Sequence, residues 1–204
     1  ILCLGGARSG KSSLALEIGH RSGSTVTFVA TCPRIAGDDN LADRIDTHRG
    51  ERPSEWRTIE EEHDLVGALE QAGDSCCIVD CLTLWVSNLM HRGDDDQSIV
   101  EAAVDAATAA RARADQGLVT VAVSNEVGSG IHPALELGRR YRDLLGRVNQ
   151  IWAARADRSL LLVAGRAVEL RDPFELLDPP TVPGAGSPDL TSTRPAHSAT
   201  DSQE

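Results

Sequence analysis

The segment Gly5-Gly6-Ala7-Arg8-Ser9-Gly10-Lys11-Ser12 has the spacing G-x-x-x-x-G-K-[ST], and that spacing is suited to holding phosphate. Glycines let successive backbone N–H groups turn inward around an anion, and a helix opening at Lys11 adds the positive end of its dipole. In such a loop the lysine ammonium bridges the β- and γ-oxygens of a nucleoside triphosphate, and the Ser12 hydroxyl ligates Mg2+. Composition singles out the same lysine. Of the 20 basic residues 19 are arginine, and Lys11 is the one lysine. A coding preference for arginine explains the scarcity but not the position. A compact ammonium is kept where a guanidinium would not substitute.

Two further residues have types suited to the same chemistry. Asp80 ends the apolar run Cys76-Cys77-Ile78-Val79. It is expected at the carboxyl end of a neighbouring strand, as an Mg2+ ligand, as the N-cap of a helix starting at Leu82, or as both. His48 lies among Arg44, Arg49 and Arg52. An isolated histidine is ordinarily structural or solvent-facing, but nearby guanidiniums would hold a polyphosphate and favour the neutral, nucleophilic imidazole. The settings of His20, His63, His91, His132 and His197 suggest no chemistry.

These residues need a scaffold, and the hydrophobic pattern supplies one. Residues 1–4, 25–30, 76–79, 118–123 and 159–164 are short and apolar nearly throughout, as parallel strands buried on both faces are. Helical periodicity runs through 11–20, 63–72, 98–115 and 134–156. The alternation predicts an α/β fold, a doubly wound, mostly parallel sheet flanked by helices. The phosphate loop would follow its first strand and open its first helix.

Composition narrows the function classes. A formal charge of −11 argues against a nucleic-acid surface, and no apolar run is long enough for a membrane span. Five cysteines, four of them in or beside apolar runs, are expected as buried thiols of a reducing cytoplasm rather than a disulfide frame or zinc site. Residues 172–204 hold six of the nine prolines and six acids against one base, a charge of −5. They are expected to be a disordered Pro/Ser/Thr-rich tail or linker outside a catalytic domain of residues 1–171.

The blocks from Gly5 to Ser12, Ala30-Thr31, Arg44 through His48 to Arg52-Pro53 and Trp56, and Val79-Asp80-Cys81-Leu82-Thr83 occur in an order that resembles a known family. So do Asn125-Glu126-Val127-Gly128-Ser129-Gly130-Ile131 and the stretch containing Arg139, Tyr141-Arg142-Asp143 and Gly146-Arg147-Val148-Asn149-Gln150. The family is the bifunctional adenosylcobinamide kinase/adenosylcobinamide-phosphate guanylyltransferases, and the likeness covers residues 1 to about 171. It implies a P-loop fold of the RecA-like kind and two reactions, phosphorylation of adenosylcobinamide by ATP or GTP and then transfer of GMP from GTP to the phosphate. It further implies that His48 carries GMP covalently, with Lys11 as the second catalytic residue.

By the same resemblance the nucleotide is bound by Gly5, Gly6, Ala7, Arg8, Ser9, Gly10, Lys11 and Ser12, with Arg52, Pro53, Ser54 and Glu55 lining the guanine nucleotide. Glu60 is either an acceptor for the guanine edge or ribose, or a solvated acid among Glu60-Glu61-Glu62. Ser12 and Asp80 hold the metal, the protein is a homotrimer, and Asn125 and Glu126 meet corrinoid or metal. Arg139, Arg142 and Arg147 form a ridge that faces phosphate, a neighbouring subunit or solvent. Two other functions fit the loop alone: a P-loop kinase of another small metabolite, and a nucleotide-dependent switch.

Overall fold

The computed structural model describes residues 1–33, 50 and 52–177. His48 and the arginines at 44 and 49 lie outside them. The chain divides into two units, Ile1–Arg171 and Asp172–Glu204. In the second, a 3-10 turn spans Pro173–Leu176, with Asp172 Oδ1 accepting from the Phe174 N–H at 2.9 Å.

In the first unit the order is β1 (Leu2–Gly5), α1 (Lys11–Arg21), β2 (Val26–Ala30), β3 (Arg57–Glu60), α2 (Leu65–Gln71), β4 (Cys76–Asp80) and α3 (Leu82–Arg92). Then come α4 (Asp96–Asp115), β5 (Thr120–Asn125), α5 (Glu136–Ala153), β6 (Ser159–Val163) and β7 (Arg166–Leu170). The strands form one sheet in the order β3-β2-β4-β5-β1-β6-β7. All neighbours are parallel except the β6–β7 hairpin. The expected α/β class holds on this topology.

Strand alternation divides the core in two. Leu2, Leu4, Val29, Cys77, Val79 and Ala122 pack against α2 to α5, where Trp85, Leu89, Ile99, Leu144 and Val148 are buried. Cys3, Phe28, Ile78, Val121, Val123 and Leu162 face the other way, toward Ala15 of α1 and Trp56. Each fully buried Leu or Val contributes about 1.5–3 kcal/mol against exposure, so burial on both faces explains why the central strands are apolar throughout.

The two edge strands escaped the pattern. β3 reads Arg-Thr-Ile-Glu with both ends exposed, and every residue of β7 is exposed. Edges bury little and so carry no long apolar run. Helix α3 starts at the expected Leu82 and buries Leu82, Trp85, Val86 and Leu89, three and four residues apart. None of the five cysteines is in a disulfide, and Cys3, Cys76 and Cys77 are buried. No helix among the described residues is long and apolar enough to cross a membrane.

Candidate active site

The phosphate loop leaves the carboxyl end of β1 and turns into α1, the position its spacing requires. Two glycines are fixed by geometry. A Cβ on Gly5 would lie 2.5 Å from both the Leu162 carbonyl oxygen and Ser9 Oγ. Gly10 caps α1 at φ 98°, in the left-handed region. The turn is closed by Ser9 N–H donating to Gly6 O at 3.3 Å and Leu14 N–H donating to Gly10 O at 2.9 Å. Arg8, at φ 56°, is exposed at the tip with Gly6 and Ala7.

Lys11 is 9% exposed, and its Nζ donates to Gly6 O at 3.0 Å, which folds the ammonium back over the loop. Burial lowers its pKa below 10.5, opposed by the nearby Cys81 and Asp80. A half-buried ammonium with one carbonyl hydrogen bond gains from an anion placed against it. Ser9 Oγ is buried and makes no hydrogen bond, and Ser12, one residue into α1, keeps its hydroxyl half-exposed. The loop therefore offers a hydroxyl, an ammonium and a helix N-terminus to one small volume.

A brace stands behind this loop. The β6–β7 hairpin turns through Ala164 (φ 50°) and Gly165 (φ 72°), and Gly165 N–H donates to Ser9 O at 3.0 Å. The dipeptide Ala-Gly is the local signal for this hairpin, but the exposed β7 leaves no apolar run beside it.

Asp80 ends β4 as expected, but β5 lies between β4 and β1, so its strand is not the immediate neighbour of the loop strand. It is also not the cap of α3. That N-cap is Cys81, with no side-chain cap bond, across a cis peptide from Asp80. The charge of Asp80 is felt by Lys11. Thr31, fully buried, holds the next residue: its Oγ1 accepts from Cys81 N–H and donates to Cys81 O, both at 2.8 Å. Asn88 Nδ2 donates to Thr31 O at 2.8 Å and to Glu62 O at 3.1 Å. Burial, reinforced by Asp80, pushes the Cys81 thiol up to about 12, so it is a neutral packing group at physiological pH.

Of the expected guanine-side residues, only Glu60 lies at this edge. Arg57 of β3 pairs with Thr27 and Glu60 with Ala30, so β3 runs from the amino edge to the carboxyl edge. Glu60 is at the same edge as Asp80, and exposed. Residues 53–56 form a turn at the opposite edge, closed by Trp56 N–H donating to Pro53 O at 3.1 Å. The Trp56 ring sits 4.9 Å from that of His20, nine residues along α1 from Lys11, about 13–14 Å away by helical rise. Arg52 stacks its guanidinium on Phe28, 3.5 Å from the ring centre. Within one chain, Arg52 and the Pro53, Ser54 and Glu55 turn are not beside the phosphate loop.

Other expectations resolve locally. Glu126 Oε1 accepts from Gly128 and Ser129 N–H at 2.5 and 3.2 Å, closing its own turn. Arg139 donates to Pro133 O and Ala134 O at 3.1 and 2.7 Å, and Arg142 meets His132 Nδ1 and Asp143. Those two arginines anchor the loop before α5 rather than facing phosphate, while Arg147 is exposed. Ser12 and Asp80 supply hydroxyl and carboxylate oxygens, the hard donor set Mg2+ takes when substrate phosphates and water fill the remaining positions. No cluster of three or more His, Cys, Asp or Glu occurs among the described residues.

A parallel sheet with a glycine-lysine phosphate loop at its carboxyl edge and a carboxylate two strands away defines a P-loop nucleotide-binding protein. The family can be stated as well. The family model for cobinamide kinase / cobinamide phosphate guanyltransferase (CobU) matches residues 1–170, and the chain belongs to that family.

A bifunctional adenosylcobalamin biosynthesis protein CobP from Pseudomonas aeruginosa is 41% identical over 175 residues, 83% of this chain and 96% of its own length. Proteins named bifunctional adenosylcobalamin biosynthesis protein CobU, from Escherichia coli and Salmonella typhimurium, are each 37% identical over 84% of this chain and 99% of theirs. Among solved structures, a KaiC-like protein PH0186 from Pyrococcus horikoshii OT3 overlaps 78% of this chain and 68% of its own at 13% identity, with a TM-score of 0.42.

Proposed function

We propose that residues 1–171 carry out both reactions of the family. In the first, the aminopropanol hydroxyl of adenosylcobinamide attacks the γ-phosphorus of ATP or GTP bound at Gly5 to Ser12. The bond to the β,γ-bridging oxygen breaks and its electron pair leaves with the nucleoside diphosphate. In the second, the His48 imidazole attacks the α-phosphorus of GTP and pyrophosphate leaves. A phosphate oxygen of the acceptor then displaces the imidazole, breaking the P–N bond and releasing adenosylcobinamide-GDP.

Lys11 carries the reading: a half-buried ammonium folded over the loop by Gly6 O is set to meet charge developing on the β- and γ-oxygens. Ser12 and Asp80 would hold Mg2+, which when bound neutralises phosphate charge and orients the triphosphate. His48 is assigned by its place in the matched sequence, outside the described residues. Glu60, at the carboxyl edge, is retained as a guanine or ribose acceptor, and Arg52, Pro53, Ser54 and Glu55 as guanylyl-side residues acting away from the loop of their own chain, in a homotrimer. The acidic tail is proposed to be dispensable.

The test uses GTP labelled at the α-phosphate, the full chain, and cobinamide as sole acceptor. Acid-labile label on the protein is expected for the wild type and absent for His48→Ala, which keeps kinase activity. Lys11→Ala is expected to lose at least 100-fold in phosphoryl transfer, the scale of one electrostatic contact to a transition state. Full labelling of His48→Ala would overturn the covalent assignment.

A further inference from the structure

The last residue of β5 occupies the space between the two halves of the site. β5 lies between β1 and β4, with Asn125 paired with Gly5 and Val123 paired with Asp80. Alternation fixes its direction. Val121 and Val123 belong to the core on the α1 side of the sheet, so Asn125 projects on that side. Asp80 follows Cys76 and Ile78, and Gly5 follows Cys3, onto the same side. An amide is thus placed between the first glycine of the phosphate loop and the candidate metal carboxylate, on the face covered by the helix that carries Lys11 and Ser12.

The backbone of Asn125 is held unusually firmly. Its N–H donates to Thr83 Oγ1 at 2.8 Å, and its carbonyl accepts from Asn149 Nδ2 at 3.0 Å. Asn149 Oδ1 in turn accepts from Ser124 Oγ at 2.7 Å, and Thr83 O accepts from Tyr141 Oη at 3.2 Å. Thr83, Ser124 and Asn149 are all buried. The chain therefore spends three buried polar side chains on fixing one strand end, on the side of the sheet opposite the site. Such networks hold geometry because each member would be costly to leave unpaired. The adjoining Glu126 N–H donates to Gly5 O at 3.2 Å, which locks the strand end to the loop.

The Asn125 side chain is half-buried and makes no hydrogen bond to another described residue. A firmly held backbone presenting an unengaged amide toward a phosphate loop is an arrangement for a ligand, not for packing. We infer that Asn125 is a catalytic residue of the phosphoryl-transfer step, its Nδ2 donating to an oxygen of the γ-phosphoryl group. This rests on the reading of the loop as a triphosphate site. Being neutral, the amide adds a donor without adding a charge beside Lys11 and Asp80. The clamp makes Thr83 and Asn149 positioning residues.

The test measures two quantities on the full chain: phosphorylation of cobinamide, and binding of a non-hydrolysable GTP analogue against GDP. Both variants remove the side-chain donor while leaving the clamped N–H and C=O in place. Asn125→Ala should lose at least tenfold in kcat and about tenfold in its preference for the triphosphate analogue over GDP, the scale of one hydrogen bond to a charged group. GDP affinity should stay within twofold. Asn125→Asp, isosteric but unable to donate when ionised, should lose at least as much. The inference is overturned if either variant keeps kcat and the triphosphate preference within threefold of wild type, or if GDP affinity falls in parallel, which would make Asn125 part of the loop's architecture. A wild type that shows the Asn125-dependent preference but does not phosphorylate cobinamide would refute the proposed function and leave this inference standing.

Discussion

Arg113 offers a sharp test of the physical account, because it is a buried cation with no acidic partner among its hydrogen bonds. It is 7% exposed, near the end of α4. Its guanidinium donates to Thr120 Oγ1 at 3.1 Å, Leu69 O at 3.2 Å, Gly73 O at 2.5 Å and Ser75 O at 2.6 Å. Three of these acceptors are carbonyls at or just beyond the C-terminal end of α2, the negative end of its dipole. Arg113→Met fills similar volume but leaves those acceptors unpaired. Leaving a buried acceptor without its donor costs about 1–3 kcal/mol, against a total stability of roughly 5–15 kcal/mol. At about 2–4 °C per kcal/mol for a domain of this size, Tm should fall by about 2–12 °C. Arg113→Lys should recover little, because three donors on a flexible stem do not reproduce the planar fork. The assay is urea unfolding of the full chain without nucleotide, with kinase kcat measured below the transition. Since Arg113 serves the amino edge of the sheet, kcat of the folded fraction should stay within twofold. A stability loss under 1 kcal/mol would refute the reasoning about the buried guanidinium.

Two further outcomes follow from the loop and the core. Gly5→Ala should cost about 1–3 kcal/mol by overpacking and weaken triphosphate binding at least tenfold, read by titration with a fluorescent nucleotide; binding within threefold of wild type would contradict the clash with Leu162 O and Ser9 Oγ. Stability should fall above pH 9, because burial pushes Cys3 up to about 11 and Cys77 up to about 12 from a normal 9.0. The unfolded thiols ionise first, so the contribution is complete below pH 9 and declines toward pH 11–12, by about 1.4 kcal/mol per pH unit for each thiol. Lys11, lowered by burial, works in the opposite sense, and an unfolding free energy that stayed flat from pH 8 to 10.5 would count against the buried thiols.

Local signals carried most of the central sheet and the phosphate loop. β1, β2, β4, β5 and β6 were legible because strands buried on both faces must be apolar throughout. The loop was legible because its glycines, lysine and serine act within eight consecutive residues. β3 and β7 were not, since edge strands bury too little to leave a run. The N-cap alternative for Asp80 was reasonable from residue type, yet the cap fell to Cys81.

What the sequence by itself determined is therefore the nucleotide chemistry: one lysine in 204 residues, placed where an ammonium must meet phosphate. Tertiary structure decided what stands around that lysine. It inserted β5 between the loop strand and Asp80, leaving Asn125 facing the site and Glu126 turned to its own loop. It also set Arg52 on Phe28 and braced the loop with Gly165 from a hairpin about 155 residues away in the chain. The physical reason is separation along the chain. A motif encodes groups a few residues apart through local backbone geometry, whereas strand order arises from burying both faces of a sheet at once, and no short segment carries that information.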